Sequence, residues 1–528
     1  MEPEVQTKNL AIPQEKMEYE AIEQIWNGRV EDVTKEGFNS TTKKQMDFYS
    51  EYFEDLDKID PTTGLPLIVQ KPNTYMKDYM LHISGVMKGG DKFVDKDFPP
   101  ELKSLEGDGT NHYSKDWVEG AKPCDLWKRP DDFFGVKNYK LFQDSIEPQD
   151  IKQGAIGNCY FMAAISALAD KGHANRIARL FITRDVAATG CYCLNVCEDG
   201  LWKTVIIDDL VPCYRHNAQP AFAKGNGNEI WVMILEKIWA KMYGGYANIE
   251  GGWAREVLNE LTGAPCTSFT PTYPHLFEEI LKATKFEWVM TAASGVGSGD
   301  HSKKSDNGIS HNHLYSLLRG HELNYNNKKV KLVQLRNPWG HTEWKGEWGD
   351  NWNGWTPELK GILKVENKED GIFFMPFEEF LKEFRKIEIC MYFDNYKFTC
   401  LKTKSANNKI RIFDVNIKTP GSYFFIAVQE NQRKFSKKSG YGYSYINLKV
   451  ASVENGKMKY EDVYINPLKD NNIDTWIFCS NLEAKNYLVG IRAQWYNLKE
   501  HEFVFKVYGT DFVEIKNQDQ KKYPFFLV

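Results

Sequence analysis

The chain has 528 residues, a formal net charge of −5, and 42% hydrophobic against 26% charged residues, which is close to an average soluble globular protein. This balance argues against a general nucleic-acid binder, which would be basic overall, and against a disordered acidic tail protein. No apolar run reaches the roughly 18 residues of a membrane helix, and the acidic first residues do not resemble a secretory signal, so we expect a soluble, intracellular protein.

Residues 1–89 are predicted to form an acidic N-terminal extension, because the first 60 positions hold 15 Asp and Glu against 7 Lys and Arg. Apolar residues recur there at helical spacing: Tyr19, Ile22, Trp26, Val30 and Val33. We expect this helix to pack on its own protein, with docking of a partner as the alternative. A loop rich in Pro, Thr and Gly at 60–66 places a boundary between about 60 and 90.

Between residues 90 and 395 the sequence mixes helix and strand patterns. Apolar runs predict helices over 160–169 and 229–242. Strand-like runs over 191–196 and 203–207 flank Glu198-Asp199-Gly200, which is typical of a hairpin turn. A further strand is predicted over 330–335, immediately before Arg336-Asn337-Pro338-Trp339.

The ten cysteines are scattered, which suits reduced thiols better than a disulfide framework. Cys191, Cys193 and Cys197 cluster, yet their C-x-C-x3-C spacing lacks the paired C-x2-C of zinc sites. We therefore expect ordinary buried thiols in a strand rather than a metal site.

Residues 396–528 are predicted to form an antiparallel β-sandwich. Gly- and Asn-containing turns separate the strand-like runs 409–415, 422–428, 445–450, 487–493 and 502–508. The basic cluster 433–438 is expected to be a solvated loop, with weak contact to anionic membrane lipid as the alternative.

The segment from Gln153 to Cys159 (Q-G-A-I-G-N-C) has the features that a cysteine nucleophile needs. Its two glycines allow a tight turn, and the apolar run behind Cys159 predicts a helix that begins at the thiol, where the helix dipole favours the thiolate. Gln153 is near enough in sequence for its amide to donate a hydrogen bond beside the Cys159 backbone N–H. This predicts stabilisation of an oxyanion.

A histidine base and an orienting asparagine follow downstream. His313 lies 154 residues after Cys159, close to the spacing of about 130 to 150 residues in papain-like enzymes. Asn337 follows 24 residues later. The pattern predicts a strand carrying His313 beside a strand ending at Asn337, whose amide holds the imidazole in one tautomer while Trp339 shields the hydrogen bond. His311 is the competing base.

These motifs resemble, in the same order, those of the calpains, intracellular calcium-dependent cysteine proteases. The similar segments are 153–160 (Q-G-x-x-G-[DN]-C-[WY]), 308–316 around His313, and 336–344 (R-N-P-W-G-x-x-E-W). Alignment on 308–316 favours His313 over His311. Together with W-K-R-P at 127–130 and the helix at 229–237, the resemblance covers about 90 to 395. The sandwich resembles that of calpains more loosely. Because no EF-hand pattern follows it, we expect a non-classical calpain.

The resemblance implies an α+β fold. It implies a papain-like two-lobed cysteine protease core, with the catalytic Cys in the lobe 90–254 and the His and Asn in the lobe 255–395, followed by a C2-like antiparallel β-sandwich over 396–528. The catalytic residues it implies are Cys159, His313, Asn337 and Gln153, and the substrate cleft it implies contains Gly251, Gly252 and Trp339. Departures from the family pattern are Asn158 for Asp, Tyr160 for Trp and Asn312 for Gly.

Calcium is the cofactor that the resemblance implies, with one site in each half of the core. The first site matches Asp150 and Glu229, with backbone carbonyls near Gln143 and Ser145. The second site matches Glu343, Asp350 and Asp370, but Ile372 replaces its last carboxylate. Because calcium affinity follows the number of charged ligands, we expect the second site to be weakened or lost.

The leading hypothesis is a calcium-dependent cytoplasmic cysteine endopeptidase that makes limited cuts in proteins, including cytoskeletal ones. A catalytically silent calpain-fold scaffold is the main alternative, and the intact Cys, His, Asn and Gln set counts against it. Acyl transfer of the transglutaminase kind is a third hypothesis, and that family places Asp rather than Asn third in its triad. We expect no nucleic-acid partner.

Overall fold

The computed structural model describes residues 92–107, 124–136, 138–143, 146–170, 174–183, 185–295, 306–326, 328–366, 368–435, 439–454, 457–461, 463–465 and 473–518. The predicted N-terminal extension, with its helical pattern from Tyr19 to Val33, lies outside these residues, as do positions 436–438 of the basic cluster and Ser145. No helix among the described residues is long and apolar enough to cross a membrane.

The first part of the chain is mainly helical. Its helices are α1 (Leu102–Glu106), α2 (Pro130–Phe134), α3 (Cys159–Leu168), α4 (Ala174–Ala178), α5 (Trp231–Met242) and α6 (Ala254–Thr262), and its strands are β1 (Leu126–Lys128), β2 (Cys191–Glu198), β3 (Leu201–Asp208) and β4 (Val211–Cys213). The predicted helices at 160–169 and 229–242 are confirmed as α3 and α5, and the predicted hairpin is confirmed as β2–β3. Its turn residues Asp199 and Gly200 both have positive φ, at 50° and 84°, as a tight two-residue hairpin turn requires.

The second part is built on one antiparallel sheet. Its elements are β5 (Cys266–Phe269), α7 (Leu276–Lys285), β6 (Val289–Ser294), β7 (Leu314–Tyr325), β8 (Lys328–Arg336), α8 (Pro357–Leu363), β9 (Ile372–Pro376), α9 (Phe377–Glu383) and β10 (Phe384–Cys390). The strand order is β5-β10-β6-β7-β8-β9. Since β7 and β8 are antiparallel neighbours, the start of β7 and the end of β8 lie at the same edge of the sheet. His313 directly precedes β7 and Asn337 directly follows β8, so the sheet brings them together.

The third part consists of two antiparallel sheets. Its strands are β11 (Lys397–Ala406), β12 (Ile410–Ile417), β13 (Gly421–Val428), β14 (Tyr445–Glu454), β15 (Lys457–Tyr460), β16 (Tyr464–Ile465), β17 (Asp474–Leu482), β18 (Asn486–Gln494), β19 (Glu500–Gly509) and β20 (Val513–Gln518). The sheet orders are β11-β19-β13-β17-β16 and β15-β14-β18-β12-β20. Side chains from both sheets fill one hydrophobic core between them. The predicted sandwich is therefore present, and the five predicted strands correspond to β12, β13, β14, β18 and β19.

The hydrophobic cores link the parts of the chain. One cluster contains α3 and α5 residues such as Phe161 and Trp239 and continues into sandwich residues such as Trp476 and Tyr508. A second cluster lies between the six-stranded sheet and helices α7 and α9. The predicted boundary between residues 254 and 255 falls at the first residue of α6. The prediction of a fold that mixes helices with antiparallel sheets is confirmed.

The basic cluster of the sandwich begins at the contact with the first part of the chain. Arg433 pairs with Glu256, and Lys434 pairs with Glu198 and Asp199. Only 14% of the Arg433 side chain and 20% of the Lys434 side chain are exposed. The expectation of a solvated loop is therefore wrong for these two residues, because core carboxylates neutralise them.

Candidate active site

The loop before Cys159 is held in a tight conformation. Gly154 packs so closely on the 220–224 segment that a Cβ there would lie 2.2 Å from the Phe222 carbonyl oxygen. Asn158 is fully buried, and its Nδ2 donates to Glu236 Oε1 on α5 at 2.8 Å. These contacts fix the approach to α3, so that the helix begins at Cys159 as predicted.

The Cys159 thiol lies between two elements of the molecule. It stands at the N-terminus of α3, whose first amides lack intrahelical acceptors, and close to the backbone of Leu314 at the start of β7. Burial raises the pKa of the thiol above its ordinary value, and hydrogen bonds from backbone groups of Leu314 and Tyr160 oppose this effect. Ser316 on β7 fixes the packing of the helix by donating to the Ala163 carbonyl at 2.9 Å.

Asn337 fixes the tautomer of His313. The Asn337 Nδ2 donates to the Thr342 carbonyl at 3.0 Å, and its Oδ1 accepts from the Trp339 backbone N–H at 3.1 Å. The amide oxygen therefore faces the imidazole, where His313 Nε2 lies 2.9 Å from Oδ1. Because Oδ1 only accepts, Nε2 must carry the proton, which leaves the lone pair on Nδ1. Burial lowers the pKa of His313 to about 4, so the ring is neutral at pH 7.

Trp339 and Gln153 complete the surroundings of the imidazole. The Trp339 ring lies over the His313 ring with centroids 4.1 Å apart, as expected of a residue that shields the His–Asn bond. Trp339 Nε1 donates to Gln153 Oε1 at 3.2 Å, and Gln153 Nε2 donates to the Ile156 carbonyl at 2.9 Å. The second hydrogen on Nε2 stays available beside the start of α3. Gln153 therefore links the loop that holds Cys159 with the loop that holds Asn337.

The backbone before His313 explains one of the sequence departures. Asn312 has a φ of 48°, in the left-handed region that Gly adopts freely and Asn tolerates better than most residues. His313, rather than His311, is bonded to Asn337. Among the described residues, no hydrogen bond joins the Cys159 thiol to the His313 imidazole.

The two predicted cleft glycines lie beside the nucleophile loop. Gly251 is exposed, has a φ of 65°, and donates its backbone N–H to the Gly157 carbonyl at 2.8 Å. Gly252 packs against Tyr160, the residue after Cys159. The loop thus presents exposed backbone next to the start of α3.

The comparisons with known proteins identify the family of the chain. The family model of the calpain family cysteine proteases matches residues 93–391, which is more than half of the chain. The chain belongs to the calpain family.

Individual relatives cover less of the molecule. The calpain-type cysteine protease ADL1 of Oryza sativa subsp. japonica is 34% identical over 321 residues, which are 58% of this chain and 14% of that protein. The calpain-type cysteine protease DEK1 of Zea mays is 33% identical over the same shares of the two chains. The calpain-1 catalytic subunit of Mus musculus is 31% identical over 346 residues, or 63% of this chain and 46% of that protein. The chain thus spans less than half the length of these relatives.

Among solved structures, the cysteine protease and lectin-like domains of Cwp84, a surface layer associated protein of Clostridium difficile, align over 86% of this chain and 88% of that chain. The TM-score is 0.20 at 11% sequence identity.

In this calpain the first predicted pair of calcium ligands lies in direct contact. The Asp150 and Glu229 carboxylates are hydrogen-bonded to each other, and Glu229 also accepts from Asn226 N at 3.1 Å and Trp231 Nε1 at 3.0 Å. Burial and the neighbouring charge of Asp150 raise the pKa of Glu229 to about 8, and burial raises the pKa of Asp150. The hydrogen bond between the two buried carboxyl groups needs a proton on one of them, and a hard cation would take the place of that proton.

The second predicted set is arranged differently. Burial raises the pKa of Glu343 to about 7 and that of Asp350 to about 6, and the charge of Asp370 adds to both effects. Glu343 Oε1 accepts from the Gly371 backbone N–H at 2.8 Å, and Asp370 Oδ1 accepts from the Ile372 backbone N–H at 2.9 Å. In the part of the chain that the structure describes, no group of three or more His, Cys, Asp or Glu side chains is placed to hold a metal ion.

Sequence reasoning missed two residues of this region. Glu236 accepts from the Asn158 amide and, at 3.0 Å, from the Ala223 backbone N–H, so it joins the nucleophile loop to the segment beneath it. Its position on an apolar helix was the available signal, because a buried Glu needs polar partners. Arg433 contacts the Gly251 loop from the sandwich, and no local pattern predicts such a distant contact. Cys191, Cys193 and Cys197 are buried free thiols, as expected.

Proposed function

We propose that this calpain-family chain is a calcium-dependent intracellular cysteine endopeptidase that makes limited cuts in proteins. The observation that carries the proposal is the hydrogen bond between His313 Nε2 and Asn337 Oδ1, beside a helix that begins at Cys159. This bond leaves Nδ1 as the basic nitrogen. Such an arrangement serves a thiol nucleophile, and the amide at position 337 distinguishes it from the carboxylate of a transglutaminase-type triad.

Each residue has a distinct role in the proposed reaction. His313 Nδ1 takes the proton of the Cys159 thiol, and the thiolate attacks the carbonyl carbon of the scissile peptide bond. The Cys159 backbone N–H and the remaining Gln153 Nε2 hydrogen stabilise the oxyanion. His313 then returns its proton to the leaving amine as the C–N bond breaks, and water hydrolyses the thioester. Asn337 keeps the imidazole in one orientation throughout.

The neutral thiol and imidazole support an enzyme that needs activation. The thiol pKa is raised and the imidazole pKa is lowered by burial, so both groups are neutral at pH 7. We infer that residues 90–254 and 255–395 are the two lobes of a papain-like core. We propose that movement of the lobes brings Sγ and Nδ1 into hydrogen-bond distance.

The calcium requirement is proposed to reside mainly in the first lobe. Asp150 and Glu229 would hold the ion together with backbone oxygens near Gln143. Bound calcium would supply positive charge that neutralises the two carboxylates. Asp150 ends the turn Pro148–Asp150, only three residues before Gln153, so the position of its carboxylate affects the oxyanion side of the site. The second set, with Ile372 in place of a carboxylate, is proposed to bind calcium weakly.

Protein substrates, cytoskeletal ones among them, and a cytoplasmic location are part of the same proposal and rest on family membership. We also propose docking of a partner by the N-terminal extension and weak lipid contact by the sandwich. Arg433 and Lys434 are committed to core carboxylates, so any lipid contact would have to use other residues.

The test is cleavage of casein, an unstructured protein, during a calcium titration, with Cys159→Ala as the inactive control. We expect calcium-dependent cleavage that disappears in Cys159→Ala. Asp150→Asn should shift the calcium midpoint upward by about tenfold or more, because it removes a charged ligand. Glu343→Gln, the matched variant of the second site, should shift it less. Folded wild type that stays inert at millimolar calcium would favour the scaffold alternative.

A further inference from the structure

One side chain of the sandwich reaches the nucleophile side of the active site. Arg433 lies in the turn Gln432–Lys434. Its Nη2 donates to the Gly251 carbonyl at 2.7 Å, its Nη1 donates to the Asn248 carbonyl at 3.2 Å, and its Nε donates to Glu256 Oε2 at 3.2 Å. The planar guanidinium therefore serves three acceptors at once, which a lysine ammonium cannot match in geometry.

The same guanidinium packs against the residue that follows the nucleophile. Its central carbon lies 5.1 Å from the centroid of the Tyr160 ring, within range of a cation–π contact. Gly252 lies between the guanidinium and the Tyr160 ring. A Cβ at this position would be 2.1 Å from Arg433 Nη2 and 2.7 Å from the ring. Only glycine at position 252 lets the loop, the guanidinium and the ring meet.

Loss of the ion pair between Arg433 and Glu256 is expected to lower the stability of the protein. Glu256 on α6 is 1% exposed and also accepts from the Tyr443 hydroxyl at 3.3 Å. Removal of the guanidinium would leave a buried carboxylate without its cation. All three acceptors of Arg433 thus lie on the core, and Tyr443 of the sandwich donates to the same Glu256 carboxylate.

The Gly251–Gly252 loop needs such an external support. Two consecutive glycines restrict the backbone least of all residues, and position 251 adopts a positive φ of 65°. On the core side the loop is tied to the nucleophile segment by the bond from Gly251 N to the Gly157 carbonyl. The Gly251 carbonyl is oriented by Arg433 from the opposite side.

We propose that Arg433 is a positioning residue, which sets the conformation of the Gly251–Gly252 loop and so makes substrate binding depend on the docked sandwich. This rests on the proposed function, in which that loop contacts the substrate backbone. A loop that binds ground state and transition state alike affects KM, whereas a loss of folded enzyme lowers the apparent kcat instead.

The test compares Arg433→Ala and Arg433→Lys with Lys434→Ala in the 528-residue chain. Lys434 lies in the same turn and pairs with Glu198 and Asp199, away from the glycine loop, so its variant controls for a weakened interface. Arg433→Ala should raise KM for a peptide substrate about tenfold with kcat nearly unchanged. Arg433→Lys should restore part of the loss, and Lys434→Ala should leave KM unaltered.

A second measurement does not require activity. Amide hydrogen exchange over residues 249–255 should be faster in Arg433→Ala than in wild type, and unchanged in Lys434→Ala. If wild type cleaves nothing, the proposed function fails, while the exchange data still decide the role of Arg433. Unchanged exchange in Arg433→Ala would overturn the inference, and so would a KM equal to that of Lys434→Ala in an active enzyme.

Discussion

Asn337 decides which ring nitrogen of His313 carries the proton, since the Thr342 carbonyl and the Trp339 backbone N–H hold its amide in one orientation. The neutral imidazole has its proton on Nε2 and its lone pair on Nδ1, the nitrogen that receives the thiol proton in the proposed reaction. Truncation of the amide would let the ring rotate and exchange tautomers.

We therefore expect Asn337→Ala to lower kcat for peptide cleavage roughly 100-fold at pH 7, with a smaller effect on KM. Asn312→Gly is the matched control, because it alters the other neighbour of His313 at a position whose φ of 48° suits glycine. Steady-state kinetics at saturating calcium would measure both. A kcat for Asn337→Ala equal to that of Asn312→Gly would contradict the proposed orienting role.

At the scale of single residues, the sequence motifs predicted which residues form the site better than they predicted the contacts between those residues. The motifs predicted the pair of His313 and Asn337 that the sheet brings together. They did not predict that Gln153 also accepts from Trp339 Nε1. That contact joins segments 186 residues apart, and local sequence carries no information about such a distance.

Among the elements, α3 depends on the hydroxyl of its second residue. Tyr160 OH donates to the Ile249 carbonyl at 2.9 Å and accepts from Trp239 Nε1 at 3.0 Å. All three groups are buried. The hydroxyl thereby ties α3 to α5 and to the turn before the glycine loop. Tryptophan, which is commoner at this position in the family, has no hydroxyl and cannot make this pair of bonds.

Tyr160→Phe should destabilise the protein by about 1–3 kcal/mol, because it leaves a buried carbonyl and a buried indole N–H without a partner. Tyr496→Phe is the control, because Tyr496 is 54% exposed, and it should leave the free energy of unfolding nearly unchanged. Urea denaturation followed by fluorescence would give both free energies of unfolding. Equal midpoints for the two variants would show that the hydroxyl contributes nothing.

Elements with a strong apolar pattern could be predicted, and those defined by their partners could not. The buried helices α3 and α5 and the strands β2, β3, β8, β12 and β13 were all recognised. β11 was missed, because several of its ten residues are Lys, Thr or Ser and its ten registered pairs with β19 define it. β16 was missed because it is only two residues long, and β17 because its main pairing is with β13, about 50 residues earlier in the chain.

On the scale of the whole molecule, the sandwich and the core are joined by buried polar contacts as well as apolar packing. Lys506 donates to the Gly263 carbonyl at 2.6 Å, Trp476 Nε1 donates to the Cys266 carbonyl at 2.9 Å, and Asn431 Nδ2 donates to Glu260 Oε1 at 3.0 Å. Each of these contacts joins segments far apart in sequence. The antiparallel strands of the sandwich were predictable from their sequence pattern, but the interface that joins them to the core was not.

We expect Glu260 to make this interface sensitive to pH. Burial raises its pKa from 4.5 to about 8, with the charge of Asp199 adding to the effect. The folded state therefore holds the Glu260 proton more tightly than the unfolded chain does. The stabilisation from this proton is fully present below about pH 4.5 and is lost as the pH rises toward 8.

Glu260→Gln removes the titration while keeping a neutral side chain of the same length. Between pH 5 and pH 8, without divalent cations, we expect the free energy of unfolding of wild type to fall by at least about 1 kcal/mol more than that of Glu260→Gln. Glu483→Gln, at a side chain that is 79% exposed, should follow the wild-type pH dependence. Urea denaturation at each pH would measure the difference. Parallel curves for wild type and Glu260→Gln would mean that the carboxyl stays ionised in the interface, so that the Asn431 and Tyr243 hydrogen bonds outweigh its burial.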